Sequence, residues 1–230
     1  NNDFILEQIR SAMREVNADV LFLQEVLGDH NDKRCRIPDW ETAIQFEYLA
    51  DSVWPHFAYG KNAIYSEGHH GNAILSKFPI VDWSNRSIST NRFEQRGLLK
   101  AKVQIPQLER EIILANTHLD LTQSGRNQQA KIIIEDLKQE SETPWMLLGD
   151  FNDWNKKISK RIENELNVKE AFKFLHGKYP ATFPNFLPML SLDRVFLNKM
   201  TPIQAIALKD GHWKKLSDHV PLYVEIEIAD

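Results

Sequence analysis

The segment 145-WMLLGDFN-152 decides how this chain folds and where its polar chemistry gathers. Trp145 to Leu148 form an uninterrupted apolar run, which is typical of a strand buried on both faces of a sheet. The run ends in Gly149, Asp150 and Asn152, which are residue types that favour turns. Ordinary turn chemistry would account for this ending taken alone. The pattern predicts a buried strand that carries an aspartate and an asparagine to a sheet edge.

The rest of the chain surrounds this strand with many further strands and few helices. Helices are predicted over Phe4–Val16, Trp40–Val53 and Arg126–Lys138, each from apolar residues at helical spacing. Other strands are predicted at 19–24, 71–76, 97–105, 110–118, 192–197, 203–208 and 220–228. This balance argues against a simple Rossmann order and favours an α/β fold of two packed sheets with helices outside. No linker or repeat divides residues 1–230, so one domain is expected.

Composition excludes several classes of protein. The net charge is -4, so the charge of the whole chain does not indicate nucleic-acid binding. The basic clusters Lys156–Lys157, Lys160–Arg161 and Lys214–Lys215 are each expected to be solvated surface. A single cysteine, Cys35, excludes an internal disulfide framework and a multi-cysteine metal site.

No apolar run is long enough to span a bilayer, and these residues contain no signal peptide. The cytoplasm is therefore the default expectation for localisation, and a leader removed before residue 1 stays open. We expect a monomer.

Acids, amides or imidazoles mark the ends of five predicted strands. They are Gln24–Glu25, Asn116–Thr117–His118, Gly149–Asp150–Phe151–Asn152, Asp193 and Asp218–His219. Each has an ordinary explanation by itself, such as a loop start, a turn or a salt bridge. Their recurrence at strand ends is what favours a shared site.

The residue types fit one reaction. Glu25, Asp150 and Asp218 offer hard oxygen ligands, which suit Mg²⁺ or Mn²⁺. His118 and His219 can donate to phosphate oxygens. Together these groups suit metal-assisted attack of water on a phosphoester.

Six segments in order resemble the motifs of the endonuclease/exonuclease/phosphatase superfamily. They are "LQEV" (23–26), "GNAILSKFPI" (71–80), "NTHLD" (116–120), "GDFN" (149–152), "LDRVF" (192–196) and "SDH" (217–219). The resemblance covers residues 4–227 and implies a four-layered α/β/β/α sandwich of two mostly antiparallel sheets. The superfamily includes deoxyribonucleases, abasic-site endonucleases, sphingomyelinases and inositol-polyphosphate phosphatases, so the motifs leave the substrate open.

The resemblance implies a role for each residue on the metal and water side of the site. Glu25 would be the principal metal ligand, Asp218 would lie near the metal, and Asp150 would orient or deprotonate the attacking water. Arg126 and Gln129 in "GRNQQ" match more weakly. We expect that pair to have a structural role at the helix surface.

On the substrate side, the resemblance assigns phosphate binding to Asn152 and His118. His219 would stabilise charge or act as the acid, and Asp193 would orient it. Arg96 in "EQRGLL" is a lesser match to a substrate-binding position.

One feature of the family is not found in these residues. Family members normally open with a strand that ends in an asparagine, whereas this sequence starts at the following helix. If that strand is missing, one metal contact is lost and the neighbouring strands have an open edge.

The substrate and partners are less specified than the reaction. Net acidity counts mildly against nucleic acid, because neutralising phosphates dominates affinity for it. The apolar segment 181-ATFPNFLPML-190 is more often packed core beneath Asp193, but exposed it would suit lipid head groups. We therefore expect a small or lipid-linked phosphoester, with a nuclease and a non-catalytic binding module as alternatives.

Overall fold

A computed structural model of the chain describes residues 3–30, 45–66, 68–91 and 94–228. Cys35 and the first part of the helix predicted at 40–53 lie outside these residues. The helices are α1 Asp3–Val16, α2 Gln45–Ala50, α3 Gln123–Lys138, α4 Lys157–Leu166 and α5 Ala171–His176. Short 3₁₀ turns cover Pro106–Leu108 and Gly211–Lys215. None of the helices in these ranges has the length and apolar character needed to cross a bilayer.

Eleven strands are described, and they form three sheets. They are β1 Val20–His30, β2 His56–Tyr65, β3 Gly68–Ser76, β4 Ile80–Ser87, β5 Gly97–Ile105, β6 Arg110–His118, β7 Trp145–Asp150, β8 Lys169–Glu170, β9 Asp193–Asn198, β10 Met200–Ala207 and β11 Leu222–Ile228. The sheets have the orders β4-β5-β6-β7-β9-β8, β1-β3-β2 and β10-β11. Among the pairings of the described strands, only β6–β7 is parallel, which confirms the mostly antiparallel prediction.

The layers follow from which side chains pack together. Trp145 and Leu147 of β7 face α3 and α4, and Met146 and Leu148 face the interior between the sheets. That interior is closed on its other side by β1, β2, β3 and β11. Helices α1 and α2 cover the outer face of the three-stranded sheet. The molecule is therefore the predicted four-layered α/β/β/α sandwich, with its second sheet in two parts.

Strand β1 has apolar residues on both faces, as predicted, but it is only half buried. Phe22 contacts the core between the sheets, and Leu21 and Leu23 contact the helical side. The strand is partly exposed because it lies at the edge of its sheet and has a described partner on one side alone. A cavity of about 1260 Å³ separates β1 from β11.

Segment 181–190 differs from the expected packed position. Thr182 and Asn185 are buried, but Phe186 is 81% exposed and Met189 is 68% exposed. The segment folds back on itself through the bridge between Phe183 and Leu190, which turns the intervening side chains outward.

Elements with few apolar residues were missed. Strand β4 has mostly exposed side chains, and α4 buries only Ile158, Ser159 and Ile162. The lysines at 156, 157 and 160 are exposed, as predicted.

Candidate active site

Three of the predicted residues meet at one edge of the six-stranded sheet. Parallel strands β6 and β7 end together, so His118 lies opposite Asp150. Strand β9 runs the other way and begins there, so Asp193 lies on the other side of Asp150. Pairing therefore places an imidazole and two carboxylates on adjacent strands.

The turn after β7 fixes the carboxylate of Asp150. Gly149 has φ of 140°, and a Cβ there would lie 1.8 Å from the carbonyl oxygen of Thr117, so only glycine fits. The backbone N–H of Asn152 donates to Oδ1 of Asp150 at 2.8 Å. The side chain of Asn152 donates to the carbonyl of Leu119 at 3.0 Å. Asn152 was predicted to bind phosphate. In the structure it also holds the turn together through these two hydrogen bonds.

His219 joins the site from the segment before β11. Its Nδ1 is 2.9 Å from Oδ2 of Asp193, and its Nε2 is 3.9 Å from Oδ2 of Asp150. The ring of Phe183 lies 5.0 Å from the imidazole. Asp193 therefore lies within hydrogen-bonding distance of His219, the residue that it was expected to orient.

The segment around His219 is tied to the hairpin that precedes β9. Thr182 is fully buried, and its hydroxyl accepts from the N–H of Asp193 at 3.4 Å. The Nδ2 of Asn185 donates to the carbonyl oxygens of Trp213 and Ser217, each at 2.8 Å. Neither Thr182 nor Asn185 was singled out from the sequence, because their value lies in backbone contacts that only the fold creates.

Glu25 reaches the site from the opposite sheet. It has φ of 57° and lies where the pairing of β1 with β3 shifts register between Leu23 and Val26. Its side chain is 71% exposed, and Oε1 is 3.8 Å from Nδ1 of His118. This bulge re-aims one side chain, as bulges near active sites commonly do.

Asn116 ties the bulge to β6. Its Nδ2 donates to the carbonyls of Leu23 and Ala73, each at 2.9 Å, and its Oδ1 accepts from Nε2 of Gln24 at 2.8 Å. The side chain is completely buried. Asn116 therefore fixes Glu25 relative to His118, two residues further along β6.

The surroundings shift the pKa values of His118, Asp150 and His219 in different directions. Burial, helped by the charge of Arg96, lowers the pKa of His118 to about 3. Burial and the nearby charge of Asp193 raise the pKa of Asp150 to about 7. Burial opposes protonation of His219, but the hydrogen bond and charge of Asp193 outweigh it and raise its pKa to about 9. At neutral pH, His219 is thus cationic, His118 neutral, and Asp150 poised between two states.

The donor set fits a hard cation such as Mg²⁺ or Mn²⁺. The described residues contain no preformed cluster of three His, Cys, Asp or Glu ligands. Mg²⁺ does not need one, because it usually binds through one or two carboxylates and keeps water or substrate oxygens as its other ligands. The exposed carboxylate of Glu25 could serve in this way.

Asp218 directly precedes His219 and acts on that imidazole. Its side chain is exposed, and its negative charge contributes to the raised pKa of His219. Its carbonyl accepts from the N–H of Asn185 at 2.7 Å. Its role as a metal ligand remains a prediction.

Arg96 lies close enough for its charge to lower the pKa values of His118, Asp150 and His70. Its Nε is buried without a hydrogen-bond partner among the described residues. A guanidinium placed among these groups suits an anionic phosphate oxygen. Its predicted part in substrate binding is consistent with this position.

His70 belongs to the same neighbourhood and was missed. Burial lowers its pKa, and the charges of Glu25 and Arg96 act on it in opposite directions. It precedes Gly71 on β3, directly opposite Leu27 of β1. The sequence signal available was its position directly before the "GNAILS" motif.

Arg126 and Gln129 are structural, but they are not at the helix surface. Both are completely buried. Nη1 of Arg126 donates to the carbonyls of Asp120 and Leu121, and Oε1 of Gln129 accepts from the N–H of Asp120 at 2.8 Å. They hold the loop that follows His118.

Comparison with known proteins identifies the relatives of this chain. A model of the Endonuclease/Exonuclease/phosphatase family matches residues 6–219. The uncharacterized protein YbhP of Escherichia coli K12 is 38% identical over 229 residues, which cover 99% of this chain and 90% of YbhP.

Two solved structures illustrate the range of proteins that share the fold. A Bacteroides thetaiotaomicron mannosyl-6-phosphatase has a TM-score of 0.75 at 17% identity, covering 98% of this chain and 91% of its own. D. rerio TDP2 in complex with a single-strand DNA product has a TM-score of 0.70 at 18% identity, covering 97% and 91%. At these identities the likeness concerns the fold alone.

Proposed function

Because this chain belongs to the endonuclease/exonuclease/phosphatase family, we propose that it is a divalent-metal-dependent hydrolase of phosphoester bonds. The supporting observation is an unbroken alternation of acids and imidazoles. Successive atoms of Glu25, His118, Asp150, His219 and Asp193 are separated by 3.8, 3.4, 3.9 and 2.9 Å. Adjacent groups of opposite type can hold and move protons around a reacting phosphate.

Asp150 is the base in this proposal. Its raised pKa, about 7, lies near neutral pH, where a base is both ionised and able to take a proton. Its Oδ1 is occupied by the N–H of Asn152, while its Oδ2 faces both imidazoles. Oδ2 is therefore the oxygen that would accept a proton from water.

His219 is the cationic partner. With a pKa of about 9 it carries two protons on its ring at neutral pH. Asp193 accepts from Nδ1, so Nε2–H is left to donate to a phosphate oxygen or to the leaving group. An imidazolium held in this way stabilises negative charge that develops in the transition state.

His118 and Arg96 would bind the remaining phosphate oxygens. A neutral His118 donates from one ring nitrogen only, whereas Arg96 brings a positive charge. Glu25, with Asp218 as a second candidate, would hold the metal. When bound, Mg²⁺ or Mn²⁺ would supply charge neutralisation and polarisation of a phosphoryl oxygen.

The proposed substrate is a small or lipid-linked phosphoester, most simply a diester. Low overall basicity supports this choice over duplex nucleic acid, and the exposed apolar residues of segment 181–190 support a lipid-linked group. A nuclease is the second candidate, because the structurally similar TDP2 carries a DNA product.

Turnover assays test the proposal. Protein should hydrolyse a soluble chromogenic phosphodiester, lose that activity in EDTA and regain it with Mg²⁺ or Mn²⁺. A parallel panel of plasmid DNA, an abasic oligonucleotide, a phosphoinositide and a phospholipid identifies the substrate class. Activity unaffected by chelation would refute metal dependence, and nicking of plasmid with no other turnover would favour the nuclease.

A further inference from the structure

A cluster of exposed apolar side chains borders the candidate site. Residues 181–192 include no charged residue and no histidine. Within them Phe186, Leu187, Met189 and Leu190, here termed the apolar tip, are 81%, 57%, 68% and 40% exposed. Single exposed apolar residues are common, but four in five positions mark an interaction surface.

The base of the tip is rigidly attached to the site. The N–H of Leu190 donates to the carbonyl of Phe183 at 2.8 Å, and buried Asn185 binds the backbone on the amino side of His219. The ring of Phe183 lies against His219. The tip is therefore held in place beside the imidazole.

Two other loops at the same sheet edge also expose large apolar side chains. Leu121 follows His118 by three residues and is 54% exposed, and Trp154 follows Asp150 by four residues and is 46% exposed. Because β6 and β7 end together where β9 begins, these loops and the segment before β9 lie at one edge of the sheet. Three segments at this edge therefore expose large apolar side chains.

Positive charge adjoins the tip. The carbonyl of Trp213 accepts from Asn185, which places the 3₁₀ turn Gly211–Lys215 against the base of the tip. Lys214 and Lys215 are exposed, and no ion pair of theirs occurs within the described ranges. Asp210 and Asp218 lie at the two ends of the same stretch. Apolar side chains beside lysines complement an anionic lipid surface.

We propose that the apolar tip, with Lys214 and Lys215, docks on an anionic lipid bilayer and brings His219 to the level of the head groups. Nucleic acid fits this surface less well, because four of its named side chains are apolar and offer a phosphate track nothing to pair with. Docking deepens the proposed function by naming how a lipid-linked substrate reaches the site. It does not itself require turnover.

Vesicle binding tests the docking directly. Wild-type protein is sedimented with phosphatidylglycerol/phosphatidylcholine vesicles and with pure phosphatidylcholine vesicles, at low and high salt. We expect binding to the anionic vesicles that weakens with salt, and about tenfold or greater loss of affinity in Phe186→Ser/Leu187→Ser and in Lys214→Glu/Lys215→Glu. In the same variants, the ratio of turnover on vesicle-borne substrate to turnover on a soluble diester should also fall.

Matched controls lie on other elements, β4 and α3. Val81→Ser/Trp83→Ser removes two apolar residues of β4 that are 53% and 50% exposed. Lys131→Glu/Lys138→Glu reverses two exposed charges of α3. Both controls should bind vesicles like the wild type.

Three results would overturn the proposal. They are no binding of the wild type to anionic vesicles, equal loss in the controls, and a tip variant that changes only the oligomeric state in size-exclusion chromatography. The last would make the tip a contact between copies of this chain. Vesicle binding without phosphoester turnover would leave docking intact and refute the proposed reaction, so the two failures can be told apart.

Discussion

Nδ1 of His219 lies 2.9 Å from Oδ2 of Asp193, although the two residues are 26 positions apart in the chain. The contact joins the start of β9 to the segment that enters β11, and hence the six-stranded sheet to the two-stranded sheet. It fixes which imidazole nitrogen faces Asp150. It also sets the charge of the ring, because the carboxylate raises the pKa of His219 to about 9.

The pH dependence of activity should report the ionisation of Asp150 and His219. Asp150 must be ionised to act as a base, so kcat/KM should rise as pH increases through about 7. His219 must be protonated, so kcat/KM should fall as pH increases through about 9. The measurement is kcat/KM against pH with a soluble diester at saturating Mg²⁺.

Asp193→Asn should move both limbs of that profile to lower pH. Loss of its charge lowers the pKa of His219 and also removes a repulsion that raises the pKa of Asp150. Asp210→Asn, an exposed acid in the same region, is the control and should leave the profile in place. A profile that stays fixed in Asp193→Asn would contradict the assigned pairing.

Removing the base or the cationic imidazole should abolish turnover without unfolding the protein. Asp150→Asn and His219→Ala should each lower kcat by roughly 10²- to 10⁴-fold with a smaller change in KM, since both groups act mainly in the transition state. Circular dichroism checks the fold, and Asp82→Asn on β4 serves as a surface control. Near-wild-type kcat in either variant would remove that residue from the mechanism.

Glu25→Gln should reduce activity at low concentrations of Mg²⁺ by lowering the affinity for the metal. A neutral amide is a poorer ligand than a carboxylate for a hard cation. The Mg²⁺ concentration needed for half-maximal activity should therefore rise about tenfold or more, and high Mg²⁺ should restore part of the rate. The measurement is a titration of activity with Mg²⁺. An unchanged midpoint would show that Glu25 is not a ligand of the metal.

Gly149→Ala should strongly destabilise the fold. The added Cβ would meet the Thr117 carbonyl of the neighbouring strand at 1.8 Å, in a backbone conformation with φ of 140°. We expect a loss of about 3 kcal/mol or more in the free energy of unfolding. Gly177→Ala is the control, because its φ is 73° but nothing lies within 4 Å of the new Cβ. Its cost should be only about 1–2 kcal/mol, the strain of an L-residue in the left-handed region. If urea unfolding gave the same loss for both variants, the close contact at Gly149 would make no difference to stability.

Asn185→Asp should misplace His219. The substitution keeps the shape but turns a donor toward the carbonyls of Trp213, Ser217 and His219 into an acceptor. We expect kcat to fall by about tenfold to a hundredfold, because small displacements of a catalytic group are costly. The free energy of unfolding should also fall, by about 1–3 kcal/mol.

Asn198→Asp separates the two effects. Asn198 holds the carbonyls of Ser141 and Thr143 in the same manner, but at the far end of β9. It should lose stability and keep kcat. A fall in kcat of the same size in both variants would show that the effect of Asn185 is general loosening of the fold.

Local pattern determined the layers of this protein. The apolar run of β7 predicted a strand covered on both faces, and β5 and β6 were placed at 97–105 and 110–118, where they are found. These predictions hold because burial periodicity is a property of neighbours in sequence. Strand β4 and helix α4 were missed because their exposed faces carry most of their residues.

The residue types at strand ends likewise predicted Asp150, His118, Asp193, His219 and Glu25 as one group. Strand pairing joins His118, Asp150 and Asp193, and the packing of the other sheets brings Glu25 and His219 to them. What only the tertiary structure decided is how each is held and charged. The positions of Asn116, Thr182 and Asn185, the closeness of His70 and the outward turn of the apolar tip all depend on backbone groups distant in sequence. Hydrogen bonds and desolvation act over a few ångströms of space, and chain order alone does not specify which groups share that space.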